Sequence, residues 1–600
     1  MVELARANLE AALTLLEALA AAGVRQLVLC PGSRSGPLAV AVGLMEQRGL
    51  ALITAIDERS AGFFALGHGR ASGRPAAVIT TSGTAVANLL PAAVEADYGA
   101  IPLLLLSADR PARLQGCGAN QTVNQNTFLN GSLRWQGLSD PDGLHRMAPE
   151  SLQQLAMAAV AASLGQGGQP PGAVHLNLSL EEPLHGDGAV LQALVDRAAA
   201  APPLRARDRV SPAAVAGLPP DPEALALLDP QAPGLIVAGP WRGLPQHWNG
   251  FVEALRQLQR RSGWPVLADA LSGLRGAAGL ELVAGYDLLL AAERPAFQAP
   301  QLLRLGPVPA SRRLQAFLER CGGTQLLISE GEPRGLDPLG CATRQLSCGL
   351  AAWWQQQARC WPDGEPSVAP RALAGCWSRA DAQLQDWLDQ ELTRLQPRAD
   401  GRFSELALAR HLSRELPADL PVMIANSSPV RDWESVMPPE GAARPVFSFR
   451  GASGIDGTLS LACGVAEALG RAVLITGDLA LLHDANGWLW SQQLRGRLTV
   501  LLLDNNGGGI FEQLPIRPNP ERLLDFERLF AMPQAVDPLA LAAAHGVPGR
   551  APAGAADLAR DLGWALEQPL ALLRLRCDRR EDAARRQALR TMGAALPPRP

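Results

Sequence analysis

Short apolar runs alternate with helix-like patterns along most of the chain, and this alternation restricts the fold more than any other feature. In the first 190 residues the helical pattern Leu4–Ala22 is followed by apolar runs at Gln26–Cys30, Ala51–Ala55, Ala76–Thr80 and Pro102–Ser107. Buried strands separated by helices form a parallel sheet with helices on both faces. A chain of 600 residues also needs more than one hydrophobic core. We therefore expect an α/β protein with three doubly wound parallel-sheet domains.

The stretch 201–222 is rich in proline, alanine and arginine, which is typical of a linker. Beyond it, a helical pattern near Asp381–Leu395 separates two further groups of apolar runs: Gly234–Gly239, Val266–Ala268, Asp287–Leu290 and Gln325–Ile328, then Pro421–Ala425, Val446–Phe449, Ala472–Thr476 and Thr499–Leu503. The predicted division is a first domain at 1–190, a linker at 191–233, a central domain at 234–370, a linker helix at 371–401 and a third domain at 402–600. Three units of similar size suggest duplication of one architecture.

Bulk composition excludes several functional classes. A hydrophobic content of 47% with 19% charged residues is typical of a folded globular chain. The net charge of −4 provides no basic surface for nucleic acid, and no apolar run has the roughly 20 residues of a membrane span. No secretory signal pattern precedes the first helix, and the nine cysteines form no paired or clustered motif. We expect a cytoplasmic protein without structural zinc or disulfide bonds.

The chain contains no lysine, so all 54 Lys+Arg residues are arginine. Lysine Schiff-base chemistry is therefore impossible, and a Walker P-loop, which requires a lysine, is excluded as well. A GC-rich coding bias is the simplest cause of this composition. Whatever its cause, anions must be recognised by arginine, backbone amides or metal ions.

Between Gly477 and Phe511, two apolar strands end in polar residues. Asp478 follows one strand, and Asn505 and Gly507 follow the next. A carboxylate, an amide oxygen and a backbone carbonyl are the hard oxygen ligands that Mg²⁺ prefers. Gly-Asp and Asn-Asn-Gly-Gly are also ordinary turn sequences, and either one alone is more often a turn than a metal site. Their occurrence 27 residues apart at two strand ends makes a metal–diphosphate site the more specific interpretation.

Polar residues also follow the predicted strands of the first domain. They are Ser33-Arg34, Asp57-Glu58, Ser82-Gly83-Thr84 and Asp109-Arg110. In parallel α/β sheets, ligands bind at the carboxyl ends of the strands. We therefore expect these loops to form part of the same functional site.

At this point the chain resembles the thiamine-diphosphate-dependent enzymes, whose metal motif is Gly-Asp-Gly followed about thirty residues later by Asn. Leu479 departs from that motif, and this variant is similar to one family, the 2-succinyl-5-enolpyruvyl-6-hydroxy-3-cyclohexene-1-carboxylate (SEPHCHC) synthases of menaquinone or phylloquinone biosynthesis. The resemblance is carried by Cys30–Ser35, Asp57–Gly67, Thr80–Ala85, Ser107–Pro111, Cys117–Thr122, Asn426–Arg431 and Arg450–Gly457. It is weaker in the middle of the chain, where Asp269–Arg275 and Tyr286-Asp287 match best.

The resemblance implies a thiamine diphosphate cofactor held with Mg²⁺ or Mn²⁺. Glu58 matches the glutamate that hydrogen-bonds N1′ of the aminopyrimidine, although a helix cap or a surface carboxylate is the commoner role of an Asp-Glu pair. Ile455 matches the apolar residue beneath the thiazolium ring. The implied cofactor-binding residues are Glu58, Ser82, Gly83, Ser427, Ile455, Asp478, Leu479, Asn505, Gly507, Ile510 and Phe511, and the metal ligands are Asp478, Asn505 and Gly507.

The substrates implied by the resemblance are 2-oxoglutarate and isochorismate, each with two carboxylates. Expected substrate-binding residues are Ser33, Arg34, Arg110, Asn120, Gln121, Ser427, Arg431 and Arg450; the predicted catalytic set is Glu58, Arg34, Arg110, Gln121, Arg431 and Arg450. The family builds its site between two chains, which implies a homodimer or homotetramer. An acetolactate-synthase-like enzyme and a non-catalytic cofactor-binding α/β protein stay open as alternatives. The four arginines argue against the first, and the intact Glu58, Asp478 and Asn505 argue against the second.

Overall fold

The computed structural model describes residues 2–200, 222–392, 401–441, 443–517 and 524–596, and the proline-rich stretch 201–222 of the predicted linker lies almost wholly outside them. These residues form three six-stranded sheets in which every strand pairing is parallel. Helices flank each sheet, which confirms the predicted α/β class. No helix in the described ranges is long and apolar enough to cross a membrane.

The first sheet has the strand order β2-β1-β3-β4-β6-β5. Its strands are β1 Gln26–Leu29, β2 Ala51–Thr54, β3 Ala76–Thr80, β4 Leu103–Asp109, β5 Leu133–Leu138 and β6 Ala173–Ser179. Its helices are α1 Val2–Ala21, α2 Gly36–Gln47, α3 Glu58–Ser72, α4 Thr84–Ala87, α5 Leu90–Gly99, α6 Pro149–Ser163 and α7 Gly188–Ala200. Strands β3 and β4 are buried along their whole length, as expected for the interior of a doubly wound sheet.

The central sheet has a different order, β12-β11-β10-β7-β8-β9. Its strands are β7 Leu235–Ala238, β8 Val266–Ala268, β9 Leu282–Val283, β10 Gln301–Leu305, β11 Thr324–Ile328 and β12 Arg344–Leu346. Its helices are α8 Pro222–Leu225, α9 Trp248–Ser262, α10 Tyr286–Leu289, α11 Arg312–Arg320, α12 Leu350–Gln357 and α13 Val368–Leu392.

The strand predicted at Asp287–Leu290 is wrong, because this segment belongs to helix α10. The side chain of Asp381 accepts hydrogen bonds from the backbone N–H groups of Ala284 (3.0 Å) and Gly285 (2.8 Å), just before the helix begins. All four helical residues are buried. A buried helical turn of this length has the same apolar pattern as a buried strand, so periodicity does not separate the two.

The third sheet has the order β14-β13-β15-β16-β18-β17. Its strands are β13 Val422–Ile424, β14 Val446–Phe447, β15 Arg471–Gly477, β16 Arg497–Asp504, β17 Gly549–Arg550 and β18 Leu570–Arg576. The helices of this part of the chain are α14 Glu405–Glu415, α15 Ser428–Val436, α16 Thr458–Leu469, α17 Asp478–His483, α18 Pro538–Ala544, α19 Ala555–Glu567 and α20 Arg579–Ala595.

The first and third sheets share one topology, because their strands follow the same relative order, 2-1-3-4-6-5. In this order the chain changes direction between the first and third strands of each sheet, and ligands bind at such switch points. The central sheet instead follows 3-2-1-4-5-6. At its switch point, between β7 and β10, a Cβ added to Gly239 would lie 1.8 Å from the carbonyl oxygen of Pro307. The loops that follow β7 and β10 are therefore in contact at this point.

The described residues fall into two compact units. The first contains the first sheet together with Phe449–Gly470 and Asp484–Gly496, so that helix α16 packs against α3. The second contains the central and third sheets, whose buried side chains share one hydrophobic cluster. The domain boundaries at 190, 233, 370 and 401 stay predictions.

Candidate active site

The switch point of the first sheet brings together the loops that follow β1 and β3. A Cβ added to Gly32 would lie 2.3 Å from Cβ of Thr81, so the two loops touch. Ser33 is exposed in the first loop, whereas Ser82 is fully buried in the second. Both loops lie at the carboxyl ends of their strands, as the sequence predicts.

Arg34 is buried in this region and is held by the segment that follows β6. Its Nη1 donates to the carbonyl oxygen of Leu180 (3.0 Å), and its Nη2 donates to Glu182 (2.7 Å). The guanidinium is therefore fixed in place by the protein. An anionic ligand that binds Arg34 would share it with the Glu182 carboxylate.

Arg110 and Ser82 are buried and form a second cluster with Gln121, which is exposed. Nη1 of Arg110 donates to the Ser82 hydroxyl and to the carbonyl oxygen of Gln121 (2.8 Å), and Nε2 of Gln121 donates to the carbonyl oxygen of Ser82 (2.9 Å). Burial and the positive charge of Arg34 lower the pKa of Arg110. Two neighbouring buried arginines favour an anion, so this cluster can bind a carboxylate. Asn120 lies beside it and is exposed.

Gln125, which the sequence patterns do not predict, holds the loop between β4 and β5 in place through hydrogen bonds. Gln125 is buried; its Oε1 accepts a hydrogen bond from the backbone N–H of Gly83 (3.0 Å), and its Nε2 donates to Asn177 (2.7 Å). Gly83 has a φ of 82°, which favours glycine at this position. Gln125 thus links the Ser82-Gly83 turn to the end of β6. No local pattern marks such a glutamine in advance.

Glu58 is the first residue of α3 and is half-buried. The cap of this helix is Asp57, whose carboxylate accepts hydrogen bonds from the backbone N–H groups of Arg59 (2.9 Å) and Ser60 (3.3 Å). Among the residues that the structure describes, the hydrogen-bond partner of the Glu58 carboxylate is Asn88, in a long contact of 3.4 Å. Asp57, and not Glu58, therefore caps the helix.

The loop that carries Arg450 and Ile455 is held by a glutamate that sequence analysis missed. The buried carboxylate of Glu95 accepts hydrogen bonds from three successive backbone N–H groups, those of Gly451 (2.8 Å), Ala452 (2.7 Å) and Ser453 (3.1 Å). Arg450 and Ile455 are both half-buried on either side of this contact. Glu95 therefore fixes the backbone from which both side chains project.

In the second unit, Ser427 and Asp478 occupy the loops at the switch point between β13 and β15. Ser427 has a φ of 75°, a left-handed conformation that is strained for a residue with a side chain. Its carbonyl oxygen accepts a hydrogen bond from Nη1 of Arg431 (2.7 Å), one turn into α15. Strain of this kind concentrates at functional sites, which agrees with the predicted role of Ser427.

The residues predicted to bind the metal ion lie together at the ends of β15 and β16. Oδ2 of Asp478 accepts a hydrogen bond from the backbone N–H of Gly507 (2.6 Å), and its Oδ1 accepts one from Leu479 (2.9 Å). A Cβ on Gly507 would lie 2.3 Å from the carbonyl oxygen of Ala531, so only glycine fits there. Burial raises the pKa of Asp478 to about 6.

These residues fit a divalent cation. Asn505 is buried, its Nδ2 donates to Glu405 (2.5 Å), and its Oδ1 has no hydrogen-bond partner among the described residues. A buried amide oxygen without a partner is costly unless a ligand satisfies it. Together with the Asp478 carboxylate, it provides hard oxygen ligands of the type that Mg²⁺ or Mn²⁺ accepts.

The apolar residues predicted to line the cofactor follow directly on this loop. Ile510 and Phe511 lie in the short helical turn Gly509–Gln513; Ile510 is half-buried and Phe511 is 37% exposed. Leu479 is half-buried next to Asp478. Exposed apolar surface beside the loop predicted to bind the metal suits an aromatic organic cofactor.

Comparison with known proteins shows the family of the chain. Residues 9–128 match the family described as thiamine pyrophosphate enzyme, N-terminal TPP binding domain, and residues 230–424 match the middle domain of the same enzymes. A SEPHCHC synthase of Synechococcus sp. (strain RCC307) is 55% identical over 97% of both chains. That of Prochlorococcus marinus (strain MIT 9313) is 50% identical, over 95% of this chain and 97% of the relative.

The chain belongs to the SEPHCHC synthase family. It is an enzyme, its cofactor is thiamine diphosphate, and the resemblance inferred from the motifs is confirmed. Of the predicted site residues, Ser33, Arg34, Glu58, Ser82, Gly83, Arg110, Asn120, Gln121, Arg450 and Ile455 lie in the first unit, and Ser427, Arg431, Asp478, Leu479, Asn505, Gly507, Ile510 and Phe511 lie in the second.

Proposed function

We propose that this enzyme decarboxylates 2-oxoglutarate and joins the remaining four-carbon unit to the ring alkene of isochorismate, which gives SEPHCHC in menaquinone or phylloquinone biosynthesis. The observation that carries the proposal is the 55% identity, over 97% of both chains, to a protein with this synthase name. Bound thiamine diphosphate would supply the electron sink for the loss of CO₂, which makes the former keto carbon of 2-oxoglutarate the nucleophile for the new bond.

In this proposal Glu58 hydrogen-bonds N1′ of the aminopyrimidine and holds a proton there. Its support is the geometry of α3: Asp57 caps the helix, and within the described part of the chain the Glu58 carboxylate has just the long contact to Asn88, at 3.4 Å. A carboxyl group placed in this way acts in proton transfer at the cofactor.

Arg34, Arg110, Arg431 and Arg450 are proposed to bind and orient the substrate carboxylates, with neutral hydrogen bonds from Ser33, Asn120, Gln121 and Ser427. Two dicarboxylic substrates bring four negative charges, and the four arginines supply cationic partners for them, of which Arg34 is shared with Glu182. Bidentate pairing between arginine and carboxylate adds orientation to charge. A pyruvate-using enzyme has less need of such a set, because pyruvate carries one carboxylate.

Asp478, Asn505 and the backbone of Gly507 are proposed to hold Mg²⁺ or Mn²⁺, and Leu479, Ile455, Ile510, Phe511, Ser82 and Gly83 are proposed to contact the cofactor. Oδ1 of Asn505, which has no hydrogen-bond partner in the described ranges, and the Asp478 carboxylate near it support the metal assignment. The proposal further includes a homodimer or homotetramer with the active site at the chain interface, and a cytoplasmic location.

The decisive experiment compares wild type with Glu58→Gln, and with Glu46→Gln as a matched change at an exposed glutamate of the same sheet domain. We expect Glu58→Gln to lose about 10²- to 10⁴-fold in 2-oxoglutarate decarboxylation in the presence of isochorismate, and Glu46→Gln to keep wild-type activity. Near wild-type turnover by Glu58→Gln would refute the assigned role of Glu58. Turnover of pyruvate alone in preference to 2-oxoglutarate would refute the assigned substrate.

A further inference from the structure

Asn505 and Glu405 form a buried pair beneath the proposed metal-binding loop. Nδ2 of Asn505 donates to Oε1 of Glu405 at 2.5 Å, and the two residues are 8% and 1% exposed. Glu405 is the first residue of α14, one hundred positions away from Asn505 in the sequence. No motif of the sequence includes it.

This contact determines which way the Asn505 amide faces. Glu405 is paired with Arg586 and accepts the hydrogen bond from Asn505, so the NH₂ group of the amide faces Glu405 and the oxygen faces away. With the amide reversed, two acceptor oxygens would meet in a buried site and the NH₂ group would lose its partner, which is unfavourable. In the orientation observed, Oδ1 is buried and has no hydrogen-bond partner among the described residues.

Glu405 is itself held in place by Arg586 of α20. Nη2 of Arg586 pairs with Oε2 of Glu405, and the same guanidinium donates through Nε (2.7 Å) and Nη2 (2.6 Å) to the two oxygens of Asp432. All three side chains are buried. The carboxylate of Glu405 therefore has one oxygen for Arg586 and one for Asn505, and little freedom to rotate.

We propose that Glu405 is a positioning residue for the divalent cation: held by Arg586, it orients the Asn505 amide so that the oxygen, rather than the NH₂ group, faces the ion. The inference rests on the proposed role of Asn505 as a metal ligand. Arg586 also holds Asp432 of α15. Arg431, a proposed substrate-binding residue, lies next to Asp432 on the same helix.

The test measures thiamine diphosphate binding to the purified full-length protein by isothermal titration calorimetry at a series of Mg²⁺ concentrations, without substrates. Glu405→Gln keeps the shape of the side chain but can donate as well as accept, so Asn505 is no longer forced into one orientation. We expect the Mg²⁺ concentration at half-saturation to rise about 10- to 100-fold, the usual effect of removing a residue that orients a metal ligand. At saturating Mg²⁺ the number of binding sites returns to the wild-type value.

Glu332→Gln is the matched control, because Glu332 is also buried and paired with an arginine, Arg334, but belongs to the central sheet region. It should leave the Mg²⁺ midpoint unchanged. If Glu405→Gln does not fold, Glu405→Asp provides the same test: it keeps the charge for Arg586 but moves the carboxylate away from Asn505, so the midpoint must again rise. General loosening of the fold would instead lower the melting temperature and the number of sites at every Mg²⁺ concentration, which would refute the positioning role.

Asn505→Ala distinguishes the ligand role of Asn505 from the positioning role of Glu405. If Asn505→Ala weakens Mg²⁺ binding but the Glu405 variants match wild type, the positioning role of Glu405 is wrong and the metal site stands. If Asn505→Ala itself leaves the Mg²⁺ midpoint unchanged, the proposed ligand assignment is wrong, and the role of Glu405 falls with it. A higher Mg²⁺ midpoint for the Glu405 variants and for Asn505→Ala, with the wild-type midpoint in Glu332→Gln, supports the positioning role.

Discussion

Gly67 of α3 lies directly against Leu461 of α16: a Cβ added to Gly67 would stand 2.1 Å from the carbonyl oxygen of Leu461. The contact is reciprocal, because a Cβ on Gly464 of α16 would stand 2.0 Å from the carbonyl oxygen of Phe64. Two backbones at this distance leave no room for a side chain. The first unit therefore depends on glycine at both positions to hold α16 in place.

We expect Gly67→Ala to destabilise the protein by about 1–3 kcal/mol, since the added methyl group forces the helices apart. Gly43→Ala in α2 is the control: nothing lies within 4 Å of its Cβ position, and alanine favours a helix over glycine by up to about 1 kcal/mol. Thermal unfolding of the metal-free protein should show a lower midpoint for Gly67→Ala and an equal or higher midpoint for Gly43→Ala. Equal midpoints for wild type and Gly67→Ala would contradict the close packing of the two helices.

The hydrogen bonds between Glu95 and the loop Gly451–Ser453 give a second prediction. In Glu95→Gln, one carboxylate oxygen becomes an NH₂ group that faces a backbone N–H, which is unfavourable by about 1–3 kcal/mol. We expect the loop to loosen and thiamine diphosphate affinity at saturating Mg²⁺ to fall about tenfold, because a tenfold change corresponds to about 1.4 kcal/mol. Calorimetry measures the affinity, and limited proteolysis reports cleavage within the loop. Unchanged affinity together with unchanged proteolysis would exclude this role of Glu95.

The sequence predicts the fold because its signals are local. The mainly apolar, fully buried runs of β3 and β4 and the glycines after β16 each determine their structure within a few residues. The supporting residues of the site have no such signal. Glu405 meets Arg586 across 181 positions, and Glu95 meets Gly451 across 356. Such pairs form only when the whole chain has folded, so a single sequence does not reveal them.

The roles of two adjacent acidic residues of the site are also difficult to predict from the sequence. Asp57 and Glu58 are both acidic residues at a helix start, and the pattern alone does not decide which one caps the helix. The structure assigns the cap to Asp57, because its shorter side chain reaches back to the N–H groups of Arg59 and Ser60.

A third prediction concerns the pH dependence of cofactor binding. Burial, and to a smaller extent the charge of Asp504, raises the pKa of Asp478 to about 6 in the metal-free protein. A metal ion must displace that proton, so Mg²⁺ affinity should be constant above pH 6 and fall about tenfold per pH unit well below it. Asp504→Asn removes the neighbouring charge and should move the break to lower pH. Calorimetric titrations between pH 5 and 8 measure both profiles, and a flat wild-type profile would contradict the assignment of Asp478.

The last prediction concerns Glu434, which joins α15 to the central sheet region. Its buried carboxyl group accepts hydrogen bonds from Tyr286 and from the backbone N–H of Ala270, and lies 3.2 Å from Arg275. Burial, and next the charge of Asp269, raises the pKa of Glu434 to about 8. The folded state therefore holds a proton that the unfolded chain releases near its ordinary pKa of 4.5.

The pKa of Glu434 is higher in the folded protein than in the unfolded chain. Protonated Glu434 therefore makes its full contribution to the free energy of unfolding below about pH 4.5, and this contribution is lost as the pH rises through about 8. Glu434→Gln keeps the shape of the side chain but binds no proton. The stability of wild type relative to Glu434→Gln should thus fall between pH 5 and 8, by at most about 1.4 kcal/mol per pH unit. Melting temperatures of both proteins across this range measure the difference, with Glu440→Gln, at an exposed position, as the control. A difference that stays constant with pH would show that Glu434 is ionised in the folded protein throughout, held by Arg275.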